Sequence, residues 1–338
     1  MAKAPRLPSE APRKLVTRSK ATTDPRFGKT PAERSVEEHI KFGVVNLDKP
    51  SGPTSHEVAA WVKKLLGVAK VGHGGTLDPR VTGILPVALE ESTKIVQTLL
   101  PAGKEYVGVL RLHEAVPEKR VREVFKEFEG DILQRPPVKS AVKRQLRARR
   151  IYYLQPLEME ERDVLFKAGC EAGTYVRKLC HDLGEVLGCG GHMQELRRTK
   201  SGSFTERNIV SLHDLIDAYA FWKEDGEEGP IRRAIVSVEE AVAYLPKIII
   251  RDSAVDSLCH GAGLAVPGIS RLDADINAKD LVAMMTLKGE LVAIGEARMD
   301  TKGMLIEDAG IAAKTQRVIM RPGVYARMWK KGKDGGQG

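Results

Sequence analysis

Between Gly72 and Pro79 the chain reads Gly72-His73-Gly74-Gly75-Thr76-Leu77-Asp78-Pro79, with one acidic residue in a glycine-rich run. Glycine admits positive φ and lets another backbone or a ligand approach closely. Pro79 fixes its own φ and biases Asp78 toward an extended conformation. A carboxylate presented this way can meet a substrate, and in a strongly basic chain it suggests a single-carboxylate enzyme acting on a polyanion. The more ordinary role of an Asp in such a turn is to bond its own backbone, so three further side chains have to decide. Tyr106, in Lys104-Glu105-Tyr106-Val107, opens an alternating segment and offers a flat apolar face with a polar tip, suited to stacking on a nucleobase. Arg177 falls in the first turn of an expected helix, where a cation opposes the macrodipole. A bidentate pair with Asp78 would hold that arginine and keep the acid ionised and oriented. Lys49, just before Pro50, is suited to buttressing the same pocket.

These residues need a body to position them. At 338 residues the chain is long enough for two domains, and 42% hydrophobic with 29% charged residues fits a globular protein. The formal net charge of +9 points to an anionic partner, nucleic acid being the commonest. No apolar run is long enough to span a membrane and no secretory signal is evident. The four cysteines (Cys170, Cys180, Cys189, Cys259) form no C-x-x-C pair, and Cys180, Cys189 and His192 fit no common zinc spacing, so no metal is expected. Buried thiols of an intracellular protein are the expectation.

The pattern predicts a mixed α/β body. Phe42 to Leu47 reads as a strand. Thr54 and Glu57 form a capping box before a helix carrying Val58, Val62, Leu65 and Leu66 and stopped by Gly67. Tyr106 to Leu112 alternates as a strand, Val121, Val124, Phe125 and Phe128 stripe a helix, and Val164, Phe166, Ala168 and Cys170 line a second strand face. Val176 to Leu187 reads as a helix ended by Gly188. The acidic stretch Lys223 to Pro230 reads as a loop. Beyond Pro246 comes a compact, mostly β unit with a hairpin turning at Lys288-Gly289. The expected organisation is a basic arm over 1–40, disordered or laid across a partner, a body over 41–245, a β unit over 246–330 and a mobile tail over 331–338.

Charge is concentrated between Arg135 and Arg150, where sixteen residues carry seven basic side chains and no acid. Pro136-Pro137 opens the stretch, which therefore reads as a loop leaving the body. A run of one sign repels itself unless a polyanion arrives, so Lys143, Arg144 and Arg147 are candidates for phosphate contact. Arg197, Arg198 and Lys200 read as a second patch that grips the backbone without reading sequence.

Taken in order, Asp48-Lys-Pro-x-Gly-x-Thr-Ser55, Gly72-His-x-Gly-Thr-Leu-Asp-Pro79, Lys104-x-Tyr106 and Gly173-Thr-Tyr-x-Arg177 resemble the motif set of the TruB-type RNA pseudouridine synthases. Arg135-Pro-Pro with Ser140-Ala-Val-Lys-Arg144, and Arg197-Arg-Thr-Lys-Ser-Gly202, narrow the resemblance to the dyskerin-like branch. The last unit resembles a PUA RNA-binding module, and the resemblance covers about residues 40–330.

That resemblance implies a catalytic domain of α/β (α+β) class with a mixed, largely antiparallel sheet, followed by the PUA domain. It implies conversion of uridine to pseudouridine in rRNA and tRNA, with Asp78 catalytic, Tyr106 stacked on the target base and Arg177 paired with Asp78. His73 would lie near the flipped nucleotide and Tyr175 would line the pocket. No cofactor is implied, because the reaction involves neither redox change nor group transfer to a second molecule, and no P-loop or dinucleotide fingerprint is present. The branch implies a box H/ACA guide RNA, small accessory proteins, a thumb-like basic loop at 135–150 and a PUA unit holding the guide's 3′ end. The missing Lys-rich tail favours an archaeal, cytoplasmic setting over a nucleolar one. The competing class is an RNA-binding scaffold without catalysis, which a replaced Asp78 would have favoured. An NTPase built on the glycine turn is excluded by the missing Gly-Lys-[Ser/Thr] ending.

Overall fold

The computed structural model describes residues 6–135 and 145–327, in two compact units. The stretch read as a basic arm is divided between them. Residues 6–11 belong with Gly43–Val236, while Pro12–Phe42 belongs with the C-terminal residues from Ser237 onward. Neither part of it is free. Leu7 is fully buried within the first unit. In the second, β1 (Leu15–Thr17) and α1 (Val36–Lys41) are built in. Arg34, just before α1, makes a buried two-pronged pair with Glu239 at 2.8 and 2.7 Å.

The first unit is assembled from β2 (Gly43–Lys49), α2 (Ser55–Leu66), β3 (Val71–His73), β4 (Thr82–Leu89), α3 (Val96–Leu99), β5 (Lys104–Leu112), α4 (Glu118–Glu127), β6 (Gly130–Gln134), β7 (Arg147–Glu160), β8 (Asp163–Cys170), α5 (Val176–Leu187), β9 (Gly191–Ser201), β10 (Phe204–Thr205), α6 (Leu212–Ala220), α7 (Glu228–Ala234) and β11 (Ile235–Ser237). Its sheet runs β11-β2-β4-β9-β5-β8-β7-β6, with β3 against β4 and β10 against β9. β4 and β9 meet in parallel, and β5, β6, β7, β8 and β9 pair antiparallel. The largely antiparallel mixed fold is the one expected.

Local signals account for the elements that frame the site. At α2 the Thr54 hydroxyl accepts from Glu57 N and the Glu57 carboxylate accepts from Thr54 N, and Gly67 ends the helix in the left-handed region at φ 63°. Such a cap contributes about 1 kcal/mol. α4 and α5 bury Val121, Val124, Phe125, Leu179 and Leu183 with Leu110, Ile151, Val164 and Phe166 of the strands. This core fixes the angle of α5, each large side chain contributing about 1.5–3 kcal/mol.

Two expectations are corrected. Arg147 to Arg150 lie in β7, not in a loop, because they pair with Asp131 to Gln134 of β6. Lys143 and Arg144 lie outside the described residues. The stretch Lys223 to Pro230 is largely helical, with a π-turn over Phe221–Asp225 and α7 beginning at Glu228. Pro230 is tolerated there because it falls in the first turn, where backbone N–H groups have no helical partner.

The second unit adds α8 (Val238–Ala241), β12 (Lys247–Ile250), α9 (Asp252–Cys259), β13 (Leu264–Ala265), β14 (Ile269–Asp273), β15 (Leu281–Met285), β16 (Leu291–Ala297), α10 (Thr301–Ile306) and β17 (Ile311–Val318). Its sheet order is β1-β14-β12-β15-β16-β17-β13, with β1 extending the edge at β14. The expected hairpin is present as β15–β16, with Gly289 at φ 85°.

Burial pushes the Cys170, Cys180 and Cys259 thiols up to about 12, while Cys189 is only half-buried. These buried thiols therefore stay protonated at pH 8, and the thiolate is the reactive form. A maleimide titration of the native chain should therefore label one thiol quickly, mapped to Cys189, and all four in denaturant. Rapid labelling of a second native thiol would contradict this packing.

Candidate active site

Asp78 sits in the loop from Gly74 to Val81 that joins β3 to β4, and this loop is held through its backbone. Lys49, at the end of β2, is fully buried and its ammonium donates to the carbonyls of Pro50 at 2.9 Å, Pro79 at 2.8 Å and Val81 at 3.0 Å. Gly52 N also donates to Pro79 O at 2.9 Å. From the first turn of α2, Ser55 Oγ accepts from Leu77 N at 2.9 Å and donates to Leu77 O at 3.2 Å. The residues on both sides of Asp78 are thus locked. Its carboxylate is left half exposed, with 50% of the side chain accessible. Lys49 was expected among the substrate-binding residues, but with its nitrogen turned onto carbonyls it supports the loop instead.

α5 supplies the counter-charge. Arg177 Nη2 donates to Asp78 Oδ2, across 99 positions of sequence. With side chains 50% and 56% exposed, the pair faces solvent and is worth little to folding. A pair of this kind can orient the acid. Tyr175, the N-cap of α5, stands two residues before Arg177.

Tyr106 lies on β5, paired across the sheet with Arg198 of β9 and Ala168 of β8. Burial pushes its phenol above the ordinary tyrosine value, against the pull of Arg198, so it remains protonated. His73, on β3, meets His56 of α2 edge to face with centroids 4.8 Å apart. Burial, then His56 and Arg198, lower its pKa and favour a neutral ring.

The second basic patch is corrected. Arg198 is 1% exposed, with Nε donating to Ile84 O at 2.7 Å and Nη2 to Gly75 O at 3.0 Å. It is an internal brace for β4 and the glycine loop. Arg197 forks onto Asp48 at 2.9 Å through both terminal nitrogens and donates from Nε to Glu206 at 2.7 Å. Lys200 pairs with Glu10 at 2.7 Å and Glu105 at 3.4 Å. The β9 register brings an acid or a carbonyl to each cation. Among the phosphate-contact candidates within the described residues, Arg147 remains, on β7.

Two supports were missed from sequence. Lys104 is buried, its ammonium on the carbonyls of Leu99, Leu100 and Ala102 at 3.2, 2.8 and 2.6 Å, and burial draws its pKa down to about 7. Its place two residues before Tyr106 was the available signal. Gln134, in β6, bonds the backbone of Tyr175, and nothing local marks it.

Known proteins bear on this geometry. Residues 63–176 match the N-terminal domain of TruB family pseudouridylate synthases, and 177–243 match the tRNA pseudouridylate synthase B C-terminal domain. Residues 6–59 match a DKCLD (NUC011) domain and 246–319 a PUA domain. The chain is 58% identical over 324 residues to a probable tRNA pseudouridine synthase B of Methanopyrus kandleri, covering 96% of each. It is 59% identical over 331 residues to its counterpart in Methanosarcina acetivorans, covering 98% of each. Among solved structures it resembles a chain of a Cbf5-Nop10-Gar1 complex (TM-score 0.91, 56% identity, 94% of this chain and 97% of that one). A chain of an H/ACA RNP bound to a substrate RNA containing 2′-deoxyuridine is equally similar (TM-score 0.91, 53% identity, 96% and 100%).

Proposed function

This chain belongs to the TruB family of pseudouridylate synthases, and we propose that it isomerises uridine to pseudouridine in RNA as the catalytic subunit of a guide-RNA particle of H/ACA type. The observation that carries the proposal is the single carboxylate of Asp78, locked by its backbone and paired with Arg177. Breaking the N1–C1′ bond, turning the base and joining C5 to C1′ conserves every heavy atom, and the proton lost from C5 is balanced by one gained at N1. One carboxylate can attack C1′, attack the base, or remove a sugar proton. Each role needs it ionised and aimed, and Arg177 supports both. The other roles follow the same reading: Tyr106 stacks on the extruded base, His73 helps to position RNA as a neutral ring, and Tyr175 lines the pocket. Extrusion costs a few kcal/mol, least in an unpaired target.

The partner proteins recorded with the solved relatives, Nop10 and Gar1, support small accessory proteins here. The relatives named for tRNA support tRNA as a substrate, taken here to extend to action without a guide, and the H/ACA RNP relative supports guided action, taken here to extend to rRNA. The second unit, matching a PUA domain, would hold the guide's 3′ end. The archaeal relatives favour a cytoplasmic setting. A scaffold role alone is disfavoured, since Asp78, Arg177 and Tyr106 are all present.

The test is tritium release from RNA carrying 5-³H-uridine, with and without an H/ACA guide and accessory proteins. Turnover with guide supports the particle reading, and turnover on bare tRNA supports the stand-alone activity. RNA binding without release under either condition would refute catalysis.

A further inference from the structure

Gln134 is 2% exposed, an uncommon place for a carboxamide. Its Oε1 accepts from Tyr175 N at 2.9 Å and its Nε2 donates to Tyr175 O at 3.2 Å. The side chain therefore bonds both backbone groups of Tyr175, as a residue on a neighbouring strand would. Tyr175 is the N-cap of α5 and has no side-chain cap bond of its own. Its carbonyl also accepts the first helical bond, from Leu179 N at 2.9 Å. Helix starts leave backbone donors without helical partners, and their geometry depends on what satisfies them. Here a residue 41 positions away contributes.

Arg177 is the second residue of α5. Because its pair with Asp78 is half exposed and screened, the pair holds itself in place only weakly. The direction in which Arg177 leaves the helix must come from the backbone, and Gln134 grips that backbone two residues upstream. On the other side of the link stands the β6–β7 hairpin. Gln134 is opposite Arg147, and Ile132 is opposite Arg149. Strand alternation puts these four on one face, with Asp131, Leu133, Ala148 and Arg150 on the other. That first face is turned to the approach to α5. A Cβ on Gly173, at φ +79°, would lie 3.2 Å from Arg149 Nε and Nη2, and Arg149 Nε is buried with no hydrogen-bond partner.

We infer that Gln134 is a positioning residue that ties the first turn of α5 to the β6–β7 hairpin and so holds Arg177 at the angle that aims Asp78. This rests on the pseudouridine synthase reading and deepens it. The hairpin is then part of the catalytic alignment as well as a carrier of basic charge.

The experiment uses the full chain with Gln134→Met, which keeps the volume and removes both bonds. On an RNA that the wild type modifies, the single-turnover rate should fall about ten- to hundredfold, with RNA affinity within about twofold. Hydrogen exchange at Tyr175 and Val176 should accelerate while that of the α4 and β8 amides does not. Gln134→Glu keeps the acceptor for Tyr175 N and should recover part of the rate; it serves as the working variant if Gln134→Met does not fold. In an Arg177→Lys background the Gln134 substitution should cost far less than it does alone, since both act through one side chain. An unchanged rate, unchanged exchange at α5, a parallel loss of affinity, or full additivity with Arg177→Lys would each overturn the proposal. A wild type that binds RNA yet forms no pseudouridine would instead refute the functional reading, and with it any catalytic role for Gln134.

Discussion

Asp78→Asn should stop pseudouridine formation, lowering the single-turnover rate by about four orders of magnitude or more, while RNA affinity stays within about twofold. Asparagine has nearly the same shape but cannot act as nucleophile or base at neutral pH. The loop will keep its place, because Lys49, Gly52 and Ser55 hold it through main-chain atoms of Leu77, Pro79 and Val81. Arg177 loses a partner that was half exposed, and water can replace it, so stability should change by less than about 1 kcal/mol. Affinity should come chiefly from phosphate contacts made elsewhere, for which Arg147 is a candidate. Tritium release and a filter-binding titration on the same RNA check both halves. A comparable loss of binding would show that Asp78 holds RNA rather than transforming it.

Lys49→Met should cost both stability and activity, though the Lys49 ammonium is turned onto backbone carbonyls. Its ammonium serves three carbonyls from a fully buried position. Methionine fills the space but leaves those acceptors without their donor, at a cost of about 3 kcal/mol. Pro79 O retains Gly52 N, so the loop loosens chiefly at Val81. A displacement of Asp78 by about 1 Å is enough to slow the reaction about a hundredfold. Denaturant midpoints and single-turnover rates measure the two effects. A variant of normal stability and normal rate would show that the carbonyl cluster is not what holds the catalytic loop.

The two substitutions differ in how visible their targets were. Asp78 and Arg177 stand out in the sequence as an acid in a glycine turn and a cation at the wrong end of a helix, and each explains the other. Lys49 stands out too, but its role depends on which way its nitrogen turns. A buried lysine and a substrate-gripping lysine are the same letter, and only the carbonyls of Pro79 and Val81, 30 and 32 positions away, separate them. Arg197, Arg198 and Lys200 read as a surface patch in sequence for the same reason. Their partners Asp48, Glu206, Ile84, Gly75, Glu10 and Glu105 come from β2, the turn after β10, β4, the glycine loop, the N-terminal segment and β5.

What the amino-acid sequence determined alone is what short-range physics governs. The capping box at Thr54 and Glu57, the left-handed stops at Gly67 and Gly188, the alternation of Val164 to Cys170 and the hairpin at Gly289 all depend on residues within one or two turns. The ordered motifs added the family and hence the chemistry. The tertiary structure alone decided where charge goes. It wove Pro12–Phe42 into the second unit, turned Arg198 inward, and brought Gln134 to the start of α5. Charge and hydrogen bonding act between atoms a few ångströms apart whatever their separation along the chain, so the partner of a cation or a carboxamide is settled only when strand register and helix packing bring distant segments together.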